Sequence, residues 1–278
     1  MSEFFKSIVM GIIQGATEFL PISSSGHLAI LHKFLGLNTE SNLFFDVVLH
    51  LGTLLAVLIF YRNDIRDIIS GFFYGMTSLV KKNSFKDSYL TSKYPRLSLL
   101  IIVGSIPTAI IGLLFKDRFE ELAGNLLAVG IALTITGLLL TIYEMWRKGY
   151  KNEIGIGFLD ALIIGIVQGI AIIPGISRSG STISAGKFLG LKKETAANFS
   201  FLLSIPAVGG AFLLQLKDVL EMQMTFNVTL LVTGFISSFI SGYLCLKLLI
   251  WLIKKANLKF FALYCFLIGI FTISYSLI

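Results

Sequence analysis

Two short stretches of this chain set chemically active groups inside otherwise apolar sequence. In the first, Gln14 and Glu18 stand four residues apart, so on a helix they share one face. Pro21, Ser23, Ser24, Ser25, Gly26 and His27 follow them. In the second, Ser177, Arg178, Ser179, Gly180, Ser181 and Thr182 follow Pro174-Gly175. A guanidinium fork binds phosphate through two parallel N–H bonds. The N–H groups of a Gly/Ser turn that opens a helix add an anion nest with a favourable dipole. Ser23, Gly26, Ser177, Ser179, Gly180 and Thr182 are therefore candidate phosphate holders beside Arg178. Glu18 and the Gln14 carbonyl are hard oxygen donors for Mg²⁺ or Ca²⁺, which would bridge to a diphosphate. Ser24 or His27 could attack phosphorus, while the other, or Glu18, handles the proton. This spacing points to a phosphate-bearing substrate and a divalent cation.

The elements that position these groups must lie in a membrane. Of 278 residues, 55% are hydrophobic and 14% charged, Phe occurs 24 times, and the mean hydropathy is +0.84. Ordinary globular chains carry about 25% charged residues, and one soluble core could not hide so much apolar surface. Stretches free of Asp, Glu, Lys and Arg run over 97–115, 122–143, 195–216, 222–246 and 260–278. At about 1.5 Å per residue each reaches across a hydrocarbon core, and a sixth span is read at 44–61. Residues 4–36 and 157–190 are apolar but broken by the polar clusters. Non-helical backbone survives at membrane depth only inside protein or beside a wet cavity, so both read as re-entrant hairpins. The expected fold is an all-α polytopic membrane protein with six transmembrane helices plus two re-entrant helix hairpins. Glu3, Glu18 and the polar cluster argue against a cleavable signal peptide. Cys245 and Cys265, in apolar stretches, read as small core residues.

Lysine and arginine set the orientation. The segments 62–96, 147–151, 187–193 and 247–259 hold 17 of the 23 basic residues, which places them on the cytoplasmic side. The long segment 62–96 is expected to carry an amphipathic helix near 64–80, lying on the membrane. The net charge of +7 is thereby a matter of orientation, and no nucleic-acid partner is implied.

The two hairpins also resemble each other. A shift of 154 residues lays residues 11–37 over 165–191 without a gap, matching Gln-Gly, Ser-x-Ser-Gly and the closing Lys-Phe-Leu-Gly-Leu. Each hairpin is followed by three spans, an odd number, so the second copy enters from the opposite side. The expectation is an inverted repeat, residues 1–151 and 155–278, with hairpin tips meeting near the midplane. Such repeats suit a transporter or flippase of an anionic lipid as well as an enzyme. His50, alone in an apolar span, reads first as a packing residue and second as a site residue. Asp46 and Asp160 read as interfacial or helix-terminal partners, and His32 as a residue near the outer interface.

At these residues the sequence resembles the undecaprenyl-diphosphate phosphatase family of the bacitracin-resistance type. That family's first motif, Glu or Gln, three residues, then Glu, matches Gln14 to Glu18. Its Pro-x-Ser-Ser-x-Gly-His stretch matches 21–27, and its second motif matches PGISRSGST at 174–182. The resemblance implies removal of the terminal phosphate of undecaprenyl diphosphate outside the bacterial cytoplasmic membrane, recycling the lipid carrier of cell-wall synthesis. It also implies a divalent cation and six spans with two re-entrant helix pairs. Carried over, Gln14 and Glu18 form the acidic motif, Ser24 and His27 are the nucleophile candidates, and Ser177, Arg178 and Thr182 hold phosphate. A Glu in place of Gln14 would add a second metal-binding charge. The partners implied are a polyprenyl diphosphate and membrane lipids, with room for a homodimer. The other large class of membrane phosphatases needs a His after its Ser-Arg motif, and no His follows His50.

Overall fold

The computed structural model describes residues 3–35, 40–80, 89, 92–222, 227–255 and 257–278. Among them the regular structure is helical, with one isolated parallel bridge, Lys151 to Leu191. The helices are α1 (Glu3–Phe19), α2 (Ser24–Leu35), α3 (Glu40–Phe60), α4 (Arg62–Val80), α5 (Lys93–Leu114) and α6 (Lys116–Ala123). They continue as α7 (Leu126–Met145), α8 (Phe158–Ile170), α9 (Arg178–Phe188), α10 (Lys193–Met222), α11 (Val228–Lys255) and α12 (Lys259–Ser276). The protein is an all-α polytopic membrane protein. Among the described residues five helices, α5, α7, α10, α11 and α12, are long and apolar enough to cross a membrane. The sixth expected span falls on α3, whose Phe44–Phe60 meets Arg62–Ser78 of α4 at a bend of 77°.

Helix bounds depart from the charge-free stretches. In place of 122–143 there is a short polar α6 and then α7 from Leu126, while α10 starts at Lys193 and α11 runs on to Lys255. A charge-free run marks the hydrocarbon-facing part of a helix. The backbone ladder continues into turns whose lysines carry their charge to the interface on long apolar stems. Residue 36 of the first hairpin, 81–88 and 90–91 of the basic segment, and 223–226 of the stretch 222–246 lie outside the described residues.

Four basic segments meet at one end of the molecule. The Arg96 guanidinium donates to the Ile156 carbonyl at 2.7 Å, Lys193 Nζ to the Lys254 carbonyl at 3.3 Å, and the Lys192 N–H to the Lys151 carbonyl at 2.9 Å. At the same end the Leu258 N–H donates to Glu144 at 2.5 Å. Helix α8 leaves from this end and α9 returns to it, tied at the base by the 151–191 bridge. The Asp160 carboxylate accepts from the Gly157 N–H at 2.9 Å and from Lys151 at 2.9 Å, so it caps α8.

Helix α1 enters from the opposite end. Its Ser7 hydroxyl donates to the Leu230 carbonyl, in the first turn of α11, at 2.7 Å. Small residues let these helices touch: a Cβ on Gly15 would stand 2.0 Å from Ser241 Oγ and 2.5 Å from the Gly242 nitrogen. Close backbone approach of this kind is what holds helices together where lipid removes any hydrophobic driving force. Helix α8 uses the same device on α5, where a Cβ on Gly165 would meet the Gly104 carbonyl at 2.0 Å, and Thr108 donates to the Gly165 carbonyl at 2.8 Å. The α1–α2 and α8–α9 pairs thus come in from opposite ends, and their polar tips touch. A Cβ on Gly26 would lie 3.0 Å from Gly175 Cα, and one on Gly180 3.2 Å from Pro21 Cβ.

Candidate active site

Each tip is a short turn that ends one helix and caps the next. In the first, Ser23 Oγ accepts from the Gly26 N–H at 3.3 Å and lies 3.4 Å from Ser25 Oγ. In the second, Ser177 Oγ accepts from the Gly180 N–H at 3.1 Å and lies 3.3 Å from Ser179 Oγ. Serine at this position satisfies an otherwise orphaned helix donor. The turns bend at different residues: Ser23 itself takes φ 69°, whereas the second turn uses Gly175 at φ 97°. A non-glycine residue in that region stores strain of about 1–3 kcal/mol. The second turn is also pinned to α7, since the Thr136 hydroxyl donates to the Gly175 carbonyl and accepts from the Ser177 N–H, both at 3.0 Å.

Glu18 is the hub between the tips. Arg178 Nη2 donates to its Oε1 across the two halves of the chain. Ser24 Oγ donates to Oε2 at 2.6 Å, and Gln14 Nε2 to the same oxygen at 3.0 Å. His50 Nε2 approaches that oxygen to 3.7 Å. Gln14, Glu18 and Ser24 are buried. Two atoms keep unspent capacity: Gln14 Oε1 and Arg178 Nη1 are buried with no hydrogen-bond partner among the described residues. A narrow cleft opens beside Glu18 and Arg178, with Thr53 and Ser204 on its wall and Phe19, Leu54, Val57 and Val208 as apolar lining. A polar head meeting an apolar wall suits a lipid phosphate.

The structure gathers Gln14, Glu18, Ser24 and Arg178, and sets Ser23, Gly26, Ser177, Ser179 and Gly180 in the two turns around them. Thr182 is placed differently. Its hydroxyl donates to the Arg178 carbonyl at 2.8 Å and lies 2.5 Å from Ser200 Oγ, so it braces α9 against α10. His27 turns away from the carboxylate: Nδ1 is 2.7 Å from the Ser23 carbonyl and Nε2 2.8 Å from the Tyr264 hydroxyl. Nδ1 facing a carbonyl must carry the proton, so Nε2 accepts from the phenol. The basic nitrogen of His27 is thus covered by Tyr264, while the Ser24 hydroxyl points at the Glu18 carboxylate.

Sequence comparisons place the chain in a family. Residues 7–271 match the family model described as bacitracin resistance protein BacA. A protein of Methanosphaera stadtmanae named undecaprenyl-diphosphatase is 46% identical over the full length of both chains. Another of that name, from Alkaliphilus metalliredigens, is 44% identical over 99% of each, and one from Methanobrevibacter smithii 42% over 96% of each. The chain belongs to the BacA family. Within this BacA chain, His50, read first as a packing residue and second as a site residue, lies 3.7 Å from the Glu18 carboxylate. Its only local signal was an ionisable group inside an apolar span, which by itself marks a functional candidate. Contact with Glu18 depends on how α3 packs beside α1, and no spacing encodes that. His32, read as a residue near the outer interface, pairs with Asp46 at 2.8 Å.

Proposed function

We propose that this protein removes the terminal phosphate of undecaprenyl diphosphate, giving undecaprenyl phosphate for reuse in cell-wall synthesis. The observation that carries the reading is Arg178, which holds Glu18 Oε1 through one nitrogen and keeps Nη1 buried and unpartnered, while Ser24 holds the other oxygen of the same carboxylate. A buried guanidinium donor without a partner costs free energy unless an anion meets it, and a phosphoryl group is the anion its fork fits. Ser24 attacks the terminal phosphorus as its proton passes to Glu18 Oε2, 2.6 Å away. The bond to the bridging oxygen breaks, and undecaprenyl phosphate leaves. Arg178 Nη1 follows the charge that builds on the phosphoryl oxygens. Water then cleaves the phosphoserine, and His27, one turn along α2 from Ser24, exchanges the proton once Tyr264 releases Nε2.

Gln14 Oε1 is buried and unpartnered and the Gln14 amide lies 3.0 Å from Glu18 Oε2; with the amide turned over, an exchange of two nearly indistinguishable atoms, these two side chains would hold a divalent cation, Mg²⁺ or Ca²⁺. Such an ion supplies positive charge to the diphosphate oxygens. In this reading residues 1–151 and 155–278 form an inverted repeat with re-entrant hairpins. The basic end faces the cytoplasm, and the cleft opens to the outer side of the bacterial membrane. The test is phosphate release from undecaprenyl diphosphate by the purified protein, with and without a chelator. Chelator-sensitive release that disappears in Arg178→Ala supports it. Lipid transfer between vesicle leaflets with no phosphate released would identify a transporter instead.

A further inference from the structure

Helix α10 changes character at the level of the cleft. Toward the basic end Phe199, Phe201, Leu203 and Ser204 are buried. Beyond Pro206 the helix is bare: a Cβ on Gly209 or Gly210 would meet nothing within 4 Å among the described residues, and Ala211 is exposed. Ser204, Val208, Ala211 and Gln215 follow one another at helical spacing and so share a face. The first two line the cleft, and the next two continue its wall. Across from them on α3, Thr53 lines the cleft, and one turn before it the His50 side chain is 30% exposed although it sits in an apolar span. The two ends of the α3–α10 pair are closed differently. At the basic end the Tyr61 hydroxyl donates to Asn198 Oδ1 at 2.9 Å, and the Phe201 ring packs on those of Phe19 and Tyr61 at 5.7 and 6.4 Å. In the register of the repeat, a shift of 154 residues lays Phe44 over Asn198 and Tyr61 over Gln215. A phenylalanine cannot accept that bond, and Gln215 Oε1 is buried with no hydrogen-bond partner among the described residues. The far end of the crevice lacks the tie that shuts the basic end.

We infer that the isoprenoid chain of the diphosphate lipid leaves the cleft between α3 and α10, away from the basic end, along the Val208–Ala211 face of α10, and that the small side chain of Ala211 keeps this track open. The inference rests on the lipid-diphosphate reading and names the place of the lipid's chain. The head is fixed by Arg178, whose Nη1 is buried and unpartnered, and a polyprenyl chain far longer than the cleft must pass out of it. Toward the basic end the rings of Phe19, Tyr61 and Phe201, all buried, fill the way. In the other direction an apolar helix face runs on from the cleft wall without a covering helix. A chain that moves from lipid onto such a face gains packing rather than hydrophobic free energy, so the track selects by shape, and Ala211 sets its width.

The first measurement is photocrosslinking of the purified full-length protein in detergent. The probe is a polyprenyl methylenediphosphonate, whose P–C–P bridge resists hydrolysis, with a diazirine on an isoprene unit near the head. The expected label lies on the α10 peptide that carries Val208 to Gln215, and it disappears when excess undecaprenyl diphosphate competes. Label there that survives competition would mean ordinary lipid contact, and competed label confined to other helices would mean another path; either result overturns the inference. The second measurement is kinetic. Ala211 is exposed, so Ala211→Phe displaces no packed neighbour, and kcat/KM for undecaprenyl diphosphate should fall on the order of 10-fold with the loss in KM. Leu213→Phe, at an exposed position on another face of α10, should behave as wild type. Unchanged KM in Ala211→Phe would overturn the role of Ala211. The crosslink needs no turnover, which separates the two readings. Competed label on α10 in a protein that releases no phosphate would keep the track and remove the phosphatase, whereas phosphate release without that label would do the opposite.

Discussion

The two tips share one scaffold and divide the chemistry between them. Both cap a helix with serine three residues before a glycine, and both set a second serine hydroxyl 3.3–3.4 Å from the cap. The residue just after the cap is where they part: Ser24 in the first tip, Arg178 in the second. Further back, Glu18 of the first tip stands where the second has Ile172, which is partly exposed beside Gly112 rather than in the cleft. The lesson is that the same turn carries a serine behind its cap in one copy and an arginine in the other. The two frames cross each other at glycines and so bring one copy's cation onto the other copy's carboxylate. Backbone strain differs as well, stored at Ser23 in the first tip and absorbed by Gly175 in the second.

The sharpest way to break this asymmetry is at Glu18. Glu18→Gln removes the acceptor of the Ser24 proton, and turnover should fall by about 10²–10⁴-fold in the phosphate-release assay. Glu18→Ala should also destabilise the fold by about 3–5 kcal/mol, because it leaves Arg178 buried without its counter-ion. Wild-type turnover in Glu18→Gln would mean that the first tip is not where the base resides.

Arg178→Lys tests the second tip with charge retained. A lysine has no planar fork and cannot hold Glu18 and a phosphoryl oxygen together. The loss should be roughly 3 kcal/mol, about a hundredfold in kcat. Unchanged kcat with raised KM would reduce Arg178 to a docking residue.

Gln14→Glu asks whether the first tip holds the cation. A second carboxylate raises ligand charge, so the Mg²⁺ or Ca²⁺ concentration for half-maximal activity should drop. Without metal the two carboxylates repel, which favours protonation of one of them, so the gain should be larger at alkaline than at mildly acidic pH. Metal titrations of both proteins at two pH values that coincide would remove position 14 from the site.

The smallest effects separate frame from chemistry. Ser177→Ala should cost about 1 kcal/mol of stability, as a lost helix cap does. Ser23→Gly loses a cap worth only a few tenths against glycine and gains relief at a positive φ, so it should be neutral or stabilising. Thermal unfolding of both variants in one detergent measures the difference. A larger loss in Ser23→Gly than in Ser177→Ala would show that the first turn is not strained.

Particular residues show what could be read in advance. Gln14, Glu18, Ser24 and Arg178 stood out because polar groups are costly at membrane depth and lay at register positions of a repeat. The five long spans were equally visible, since hydropathy reports directly on lipid. His50 was not, because only the packing of α3 beside α1 brings it to Glu18. Thr182 was assigned to phosphate from its motif, yet a hydroxyl one turn into a helix finds the backbone carbonyl four residues earlier, as it does here. The cover placed on His27 by Tyr264 comes from α12, 237 positions away, and no local pattern could announce it.

The most direct test of the division between tips is to trap the covalent intermediate. Undecaprenyl diphosphate labelled in its terminal phosphate is mixed briefly with wild-type protein, quenched, and the labelled peptide mapped by mass spectrometry. The account predicts phosphate on Ser24, and no label when Arg178 is changed to Ala. Label on His27 would contradict it, because that nitrogen is the one the structure covers.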